Sequence, residues 1–415
     1  MLKQYRAVIH ASELLTGEGI RAKSGRHVVE ADLGRISDGA IVYSVRMSDG
    51  IEVPDQVVWV GATGALPAEY RSIPTRDLEG KRAVIPGLID CHTHLVFAGN
   101  RADEFALRCG GATYEEIALM GGGINSSVRA TRAASIEELE ALACERLREA
   151  WSFGVRALEI KSGYGLSLEA ELKVLEVIPR LRKKFPQMTL TATFLGAHAF
   201  PPDQSREDYL QDIIERMLPE VARRGLADTC DVFIDAGYYT VEEGRKILTA
   251  AKALGLKTKV HADELANTES STLAAELGCL SADHLLKISD AGIAALAKSE
   301  TVAVCLPATA FYLKAPHAPA RKLLDAGARV ALSTDFNPGT SMTLNLPLVL
   351  TMGALYLGMS RAELLASVTY TAARALGLEA RKGSLVAGMD ADFTVLPFST
   401  FEETYYRFGW APPHD

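Results

Sequence analysis

The stretch "IPGLIDCHTHLVFAGNR", residues 85–101, ends an apolar run on two histidines one residue apart. Side chains in a β-strand alternate faces, so His92 and His94 point the same way, roughly 6–7 Å apart along the strand. One ion can take both. Taken alone, a His-x-His pair is as readily two ordinary core histidines, so the other runs of the chain decide its meaning.

From about residue 84 onward, short β-like runs alternate with helical segments. Eight such runs stand out: 88–94 "LIDCHTH", 155–161 "VRALEIK", 189–197 "TLTATFLGA", 231–236 "DVFIDA", 257–262 "KTKVHA", 279–284 "CLSADH", 301–306 "TVAVCL" and 329–334 "RVALST". Between them lie apolar residues at three- and four-residue steps, clearest in 167–184, where Leu168, Leu172, Leu175, Ile178 and Leu181 share a face. Alternating strand and helix implies an α/β protein with a parallel sheet. Eight repeats over roughly 250–300 residues point to a (β/α)8 TIM barrel. A doubly wound sheet is the alternative, because runs such as 231–236 are marginal. The first eighty-odd residues, with "GRISDGAIVYSV" and "VVWVGATG", predict short antiparallel strands, and "GSLVAGMDADFTVLPF" after about 378 has the same texture. The expected division is therefore a small β-sandwich domain from 1–83 and 379–415, and a barrel over 84–378.

Composition narrows the partners. The 415 residues are 48% hydrophobic and 23% charged, enough for a sizeable core. A net charge of −8, with no basic block longer than "RKK" at 182–184, argues against nucleic acid and for a small-molecule substrate. Six cysteines at 91, 109, 144, 230, 279 and 305 contain no Cys-x-x-Cys, so they read as reduced cytosolic thiols rather than a disulfide framework or zinc ribbon. "MLKQYRAVIHASELL" lacks a continuous signal-like apolar core, and "LNLPLVLTMGALYLGM" is too short to span a bilayer comfortably. The expectation is a cytoplasmic protein with no membrane partner.

Active sites of such barrels form at the C-terminal ends of the strands. Run one ends in His92 and His94, run three leads to His198, run five ends in His261, run six in His284, and run eight leads to Asp335. Five of the nine histidines thus fall on one rim. Three imidazoles and a carboxylate suit a borderline divalent metal such as zinc or iron, with room for water. Such an ion lowers the pKa of its water from 15.7 toward about 7. Glu264 in "VHADE" suits a proton shuttle, its alternative being a solvated acid at a helix start. His284 suits orienting the nucleophile or stabilising developing negative charge. Arg101 suits a bidentate clamp on a substrate carboxylate, or else a plain surface ion pair. "RCGGATYEEI" and "MGGGINSSVR" lie in a 95–132 connection long enough for a lid, a functional loop or disorder, and neither matches a phosphate cradle. "KSGYG" at 161–165 caps run two and presents Tyr164 to the same rim, unless its glycines only make a turn.

"VIPGLIDCHTHLVFAGNR", "GGGINSSVRATRAAS", "KSGYGL", "LGAHAFPPD", "HADELAN", "LSADHL" and "STDFNPGTSMTLNLPL", in order from about 80 to 378, resemble the imidazolonepropionase family of the amidohydrolase superfamily. "GSLVAGMDADF" resembles the superfamily's returning β segment. The resemblance implies hydrolysis of 4-imidazolone-5-propanoate to N-formimidoyl-L-glutamate in histidine degradation. It implies His92, His94, His261 and Asp335 as ligands of one zinc or iron ion per chain. Glu264, His284 and Asp335 would be the catalytic groups, activating water and polarising the ring carbonyl. Arg101, Tyr114, Tyr164 and His198, with Glu264, would hold the propionate and ring, while Asn337, Gly339 and Thr340 line the other side. Two departures stand out: "DVFIDAG" where something closer to Phe-Cys-Glu is expected, and "HADELANTESS" without the expected glycines. They leave open how Asp235 and segment 265–271 shape the pocket. Run four lacks the bridging lysine of two-metal members, which supports a single ion. A homodimer is compatible with the sequence. Two other readings stay open: an aminohydrolase of the same superfamily, to which Arg101 would offer nothing, and a catalytically silent scaffold, which would tolerate loss of ligands.

Overall fold

Apolar alternation in the first sixty residues produces three antiparallel strands, β1 (Gln4–Leu15), β2 (Arg35–Ser48) and β3 (Ile51–Ala62), in the computed structural model, which describes residues 4–111 and 122–412. They are longer than the short strands expected, at 12, 14 and 12 residues. The turn-forming "SDG" does not end β2 because it is absorbed as an irregularity. The β1–β2 register shifts between Val8 and Ala11, where His10 (φ 52°) and Asp38 (φ 48°) are left-handed. Gly39 pairs there with Ala11, and a Cβ on it would stand 2.4 Å from that of Leu14. Two short strands, β4 (Thr75–Asp77) and β5 (Val84–Pro86), join β1 in parallel.

The barrel follows as β6 (Leu88–Asp90), β7 (Val155–Lys161), β8 (Thr189–Ala197), β9 (Thr229–Ile234), β10 (Lys257–Ala262), β11 (Ser281–His284), β12 (Val302–Cys305) and β13 (Val330–Leu332). All eight runs are strands, each hydrogen-bonded in parallel to the next in sequence. That order excludes the doubly wound alternative. The outer pair closes just beyond the strands: Asp335 N–H donates to the His92 carbonyl (3.1 Å), His94 N–H donates to Phe336 (2.8 Å), and Thr93 bridges Phe336. β14 (Phe393–Val395) returns to pair with β5, completing a separate six-stranded sheet from both ends of the chain. The passage from sheet to barrel occurs at Gly87, since Val84–Pro86 still pairs with β1 and β14.

Helices cover the cylinder with the faces the spacing predicts. Leu168–Lys184 begins at Ser167, whose hydroxyl accepts from Ala170 N–H, and it buries Val174, Leu175, Ile178 and Leu181. Each such side chain contributes roughly 1.5–3 kcal/mol by leaving water. Ile136–Ser152 carries a capping box between Ser135 and Glu138. The 95–132 connection holds helices Ala102–Cys109 and Ile124–Ala133, while Tyr114 lies outside the described residues. The apolar stretch near 350 forms the 11-residue helix Leu346–Tyr356. Among the described residues, no helix is long and apolar enough to cross a membrane.

Candidate active site

β6 stops at Asp90, but the extended ladder on both sides carries the chain through Thr93 and keeps His92 and His94 on the inner face, ring centroids 5.4 Å apart. Asp335, on the far side of the seam, places Oδ1 3.4 Å from His92 Nε2 and 3.6 Å from His94 Nε2. It holds a left-handed conformation (φ 51°), as does His284 (φ 79°), conformations that cost of order 1–3 kcal/mol outside glycine and concentrate at functional sites. Among the described residues, three overlapping groups have donor atoms within 4.8 Å of one another: His92, His94 and Asp335; His92, His261 and His284; and His94, His198 and His261.

The residues fit a cation. His92 Nε2, His261 Nε2 and Asp335 Oδ1 are buried with no hydrogen-bond partner, a costly state for three clustered acceptors unless a positive ion meets them. Their other atoms are held from behind. His92 Nδ1–H donates to Asp283 Oδ2 (2.6 Å), Asp231 Oδ2 stands 3.0 Å from His261 Nδ1, and Thr309 donates its hydroxyl to Asp335 Oδ2 (2.6 Å). The Asp283 and Thr309 partners fix the His92 tautomer and the Asp335 orientation, while His261 Nδ1 has Asp231 beside it without a hydrogen bond. Beneath them Lys161 pairs with Asp231 and Glu159, and Lys259 bonds Glu159 (2.8 Å) and the Cys91 carbonyl (2.8 Å), all fully buried inside the barrel.

Above this floor opens a cavity of about 410 Å³. His94, Arg101, Tyr164, His198, His261, Glu264, His284, Asp335, Asn337, Gly339 and Thr340 all line it, so among the described residues the structure gathers every proposed one except His92, which lies just below. Burial, reinforced by the carboxylates of Asp335 and Asp235, pushes the Glu264 carboxyl up to about 8. Glu264 Oε1 is 3.5 Å from His284 Nδ1. The open question about Asp235 has an answer here: its carboxylate accepts the N–H of Glu264 (2.8 Å), Leu265 (2.8 Å) and Ala266 (3.0 Å). The turn forms without glycine, with Asp263 (φ 49°) and Glu269 (φ 59°) in the left-handed region and Asp263 binding the Thr268, Ser270 and Ser271 hydroxyls (3.1, 3.0 and 2.5 Å).

On the opposite wall, buried Glu171 accepts from the N–H groups of Gly163 (3.0 Å), Gly165 (2.7 Å) and Leu166 (2.8 Å) and so shapes the turn bearing Tyr164. The Gly163 carbonyl takes the Nδ1–H of His198 (3.1 Å), leaving Nε2 as an acceptor toward the cavity. Burial, helped by His261, drops the His198 pKa to about 3, so the ring is neutral. Asn337 accepts the N–H of Gly339 and Thr340 (both 2.8 Å), forming the rim against which Arg101 lies.

Sequence reasoning missed Thr309, Asp231, Asp283, Lys161 and Lys259. A signal was present: Glu159 with Lys161, and Lys259 with His261, are charged or polar pairs at i and i+2 inside otherwise apolar runs, so both members face the barrel interior.

The family model described as the Amidohydrolase family matches residues 83–405. An imidazolonepropionase from Symbiobacterium thermophilum is 45% identical over 406 residues, covering 97% of this chain and 93% of that protein. One from Fusobacterium nucleatum is 44% identical over 400 residues, covering 92% and 96%. Among solved structures, an adenosine deaminase from Xanthomonas campestris with bound zinc is similar at a TM-score of 0.68 and 17% identity, over 98% of this chain and 87% of that one, a likeness of fold alone. With a barrel whose rim gathers the histidines and Asp335, and relatives this similar over nearly their whole length, the chain belongs to the amidohydrolase family and, within it, to the imidazolonepropionases.

Proposed function

We propose that the cavity hydrolyses 4-imidazolone-5-propanoate to N-formimidoyl-L-glutamate, a cyclic-amide hydrolysis of histidine degradation, in the cytoplasm. The observation that carries this reading is the placement of Arg101 on the same cavity as the histidine–Asp335 cluster, one end for an acid side chain and one for a reacting carbonyl. His92, His94, His261 and Asp335 would hold a single zinc or iron ion. When bound, the ion supplies Lewis acidity that polarises a carbonyl and eases deprotonation of water.

The protein's own groups then have these roles. Glu264, with a carboxyl near 8, exchanges a proton readily near neutral pH; it takes one as water adds to the ring carbonyl carbon and returns it to the ring nitrogen as the carbon–nitrogen bond breaks. His284 is held neutral, well below its usual pKa, by burial and by His261, and offers an N–H to the carbonyl oxygen as negative charge develops. His198 Nε2 accepts a ring N–H, and Tyr164 closes the wall beside it.

The test is turnover of imidazolone propionate by purified protein, alongside Arg101→Met. Hydrogen bonds to charged groups are worth about 1.5–3 kcal/mol, so kcat/KM should fall roughly ten- to a few-hundred-fold, with metal content unchanged. An imidazolone without the propionate should be a poor substrate and indifferent to the substitution. No turnover by the parent protein carrying stoichiometric metal would overturn the assignment.

A further inference from the structure

Arg101 is not free to point where it likes. Glu104, one turn into helix Ala102–Cys109, accepts from Arg101 Nε at 2.7 Å, and both its oxygens lie 3.2 Å from the N–H of Gly123, the residue that opens helix Ile124–Ala133. An exposed pair at this spacing would count for little, but these side chains are only 15% and 14% exposed and both line the cavity. Nη1 of the guanidinium lies beside Gly339, whose lack of a side chain leaves it room: a Cβ there would collide with Nη1.

A guanidinium can grip a carboxylate in two ways: side-on, through Nε and one terminal nitrogen, or end-on, through both terminal nitrogens. Glu104 occupies the Nε edge, so only the end-on fork remains for a ligand. We propose that Glu104 is a positioning residue that fixes Arg101 in this end-on presentation and thereby sets the length of acid side chain the pocket accepts. The proposal rests on the reading that Arg101 takes the substrate carboxylate. The single Glu104 carboxylate also ties Gly123 to Arg101, so the fork is referenced to the two helices flanking it rather than to its own flexible stem. Without Glu104, the side-on edge opens and the guanidinium can rotate, moving the carboxylate position relative to the reacting carbonyl.

The experiment compares Glu104→Ala, Glu104→Gln and the parent on imidazolones bearing acetate, propionate or no acid chain. It also measures binding of imidazole-4-propionate, which has no ring carbonyl to hydrolyse. For Glu104→Ala, KM for the propionate should rise roughly ten- to a hundredfold with kcat within about twofold, the scale expected for a misaligned clamp. The preference for propionate over acetate should narrow by a similar factor, and imidazole-4-propionate should bind correspondingly more weakly. The acid-free compound should be turned over alike by both proteins. Glu104→Gln keeps one oxygen for Nε and should restore most of the chain-length preference. Equal losses on all three compounds would mean that Glu104 only supports the loop, and an unchanged KM and preference would mean it does not aim Arg101; either result overturns the proposal. If Arg101→Met is strongly selective for the propionate while Glu104→Ala is not, this proposal alone fails. If Arg101→Met is itself indifferent to the propionate, the underlying reading fails first.

Discussion

Thr309→Val tests how the proposed metal centre is aimed. Thr309 lies on helix Pro307–Leu313, just past β12, fully buried, and its hydroxyl donates to Asp335 Oδ2 at 2.6 Å. Valine keeps the shape and removes only the donor, leaving Oδ2 unpaired in a buried site and the carboxylate free to turn about its own bond. A hydrogen bond to a charged group is worth about 1.5–3 kcal/mol, and 1.4 kcal/mol is a factor of ten, so metal affinity should fall roughly 10- to 150-fold. The assay is chelator competition on protein stripped and reloaded with zinc, with the unfolding midpoint of the stripped protein as the control for folding. Activity at saturating zinc should largely return, because the ligand itself is intact. If the affinity changes less than about threefold while the same assay registers a clear loss for Asp335→Asn, Thr309 does not orient the carboxylate. If neither variant shifts it, Asp335 is not a ligand.

His261→Ala should lose both metal and activity, whereas His198→Ala should keep its metal and bind substrate poorly; metal analysis after gel filtration separates the two. Glu264→Gln should lower kcat by roughly 10²- to 10⁴-fold with metal retained, read from steady-state kinetics, and a change of only a few-fold would assign the proton transfer elsewhere. His198 carries a folded pKa near 3, below its unfolded value of about 6.5, so its stability contribution is complete above pH 6.5 and is lost as the pH falls toward 3. Denaturant titrations between pH 6 and 4 should therefore show a shallower loss of stability in His198→Gln, by up to about 1.4 kcal/mol per pH unit. Tyr209→Phe, which removes a buried hydroxyl donating to the Gly196 carbonyl at 2.9 Å, should cost about 0.5–1.5 kcal/mol in stability and leave turnover alone.

The parts of this molecule that are readable from sequence are those governed by local periodicity. Helix Leu168–Lys184 announces itself through leucines at helical steps and a serine at its start, and β8 through a run of apolar and threonine residues that is buried from Leu190 to Ala197. The rim histidines are readable because they end such runs. β9 begins two residues before "DVFIDA" suggests, since Thr229 and Cys230 are buried by neighbours that only the closed barrel supplies. The same holds for Asp283, which looks like one more polar residue before His284 until β11 lies opposite β6 and brings it to His92. Glu104 and Thr309 depend on contacts between segments far apart in the chain or on a turn geometry that no repeat encodes. Segment 37–39 fails in the other direction: its turn residues signal an end that a local irregularity makes unnecessary.

The seam between β6 and β13 has a bearing on how the chain reaches its native state. His92 N–H donates to Ser333 Oγ across 241 residues, and the Asp90 carboxylate receives the hydroxyls of Ser333 and Thr334 beside it. Every other pair of neighbouring barrel strands can zip as the chain lengthens; this one waits until β13 exists, and its contacts carry the greatest loop-closure cost in the cylinder. The proposed ligands His92, His94 and Asp335 sit on both lips of that last closure. An ion held there would therefore also be a clasp, placed on the joint of the cylinder with the greatest loop-closure cost. Amide hydrogen exchange at His94 and Asp335 should quicken on metal removal well before the strands β7 to β10 loosen.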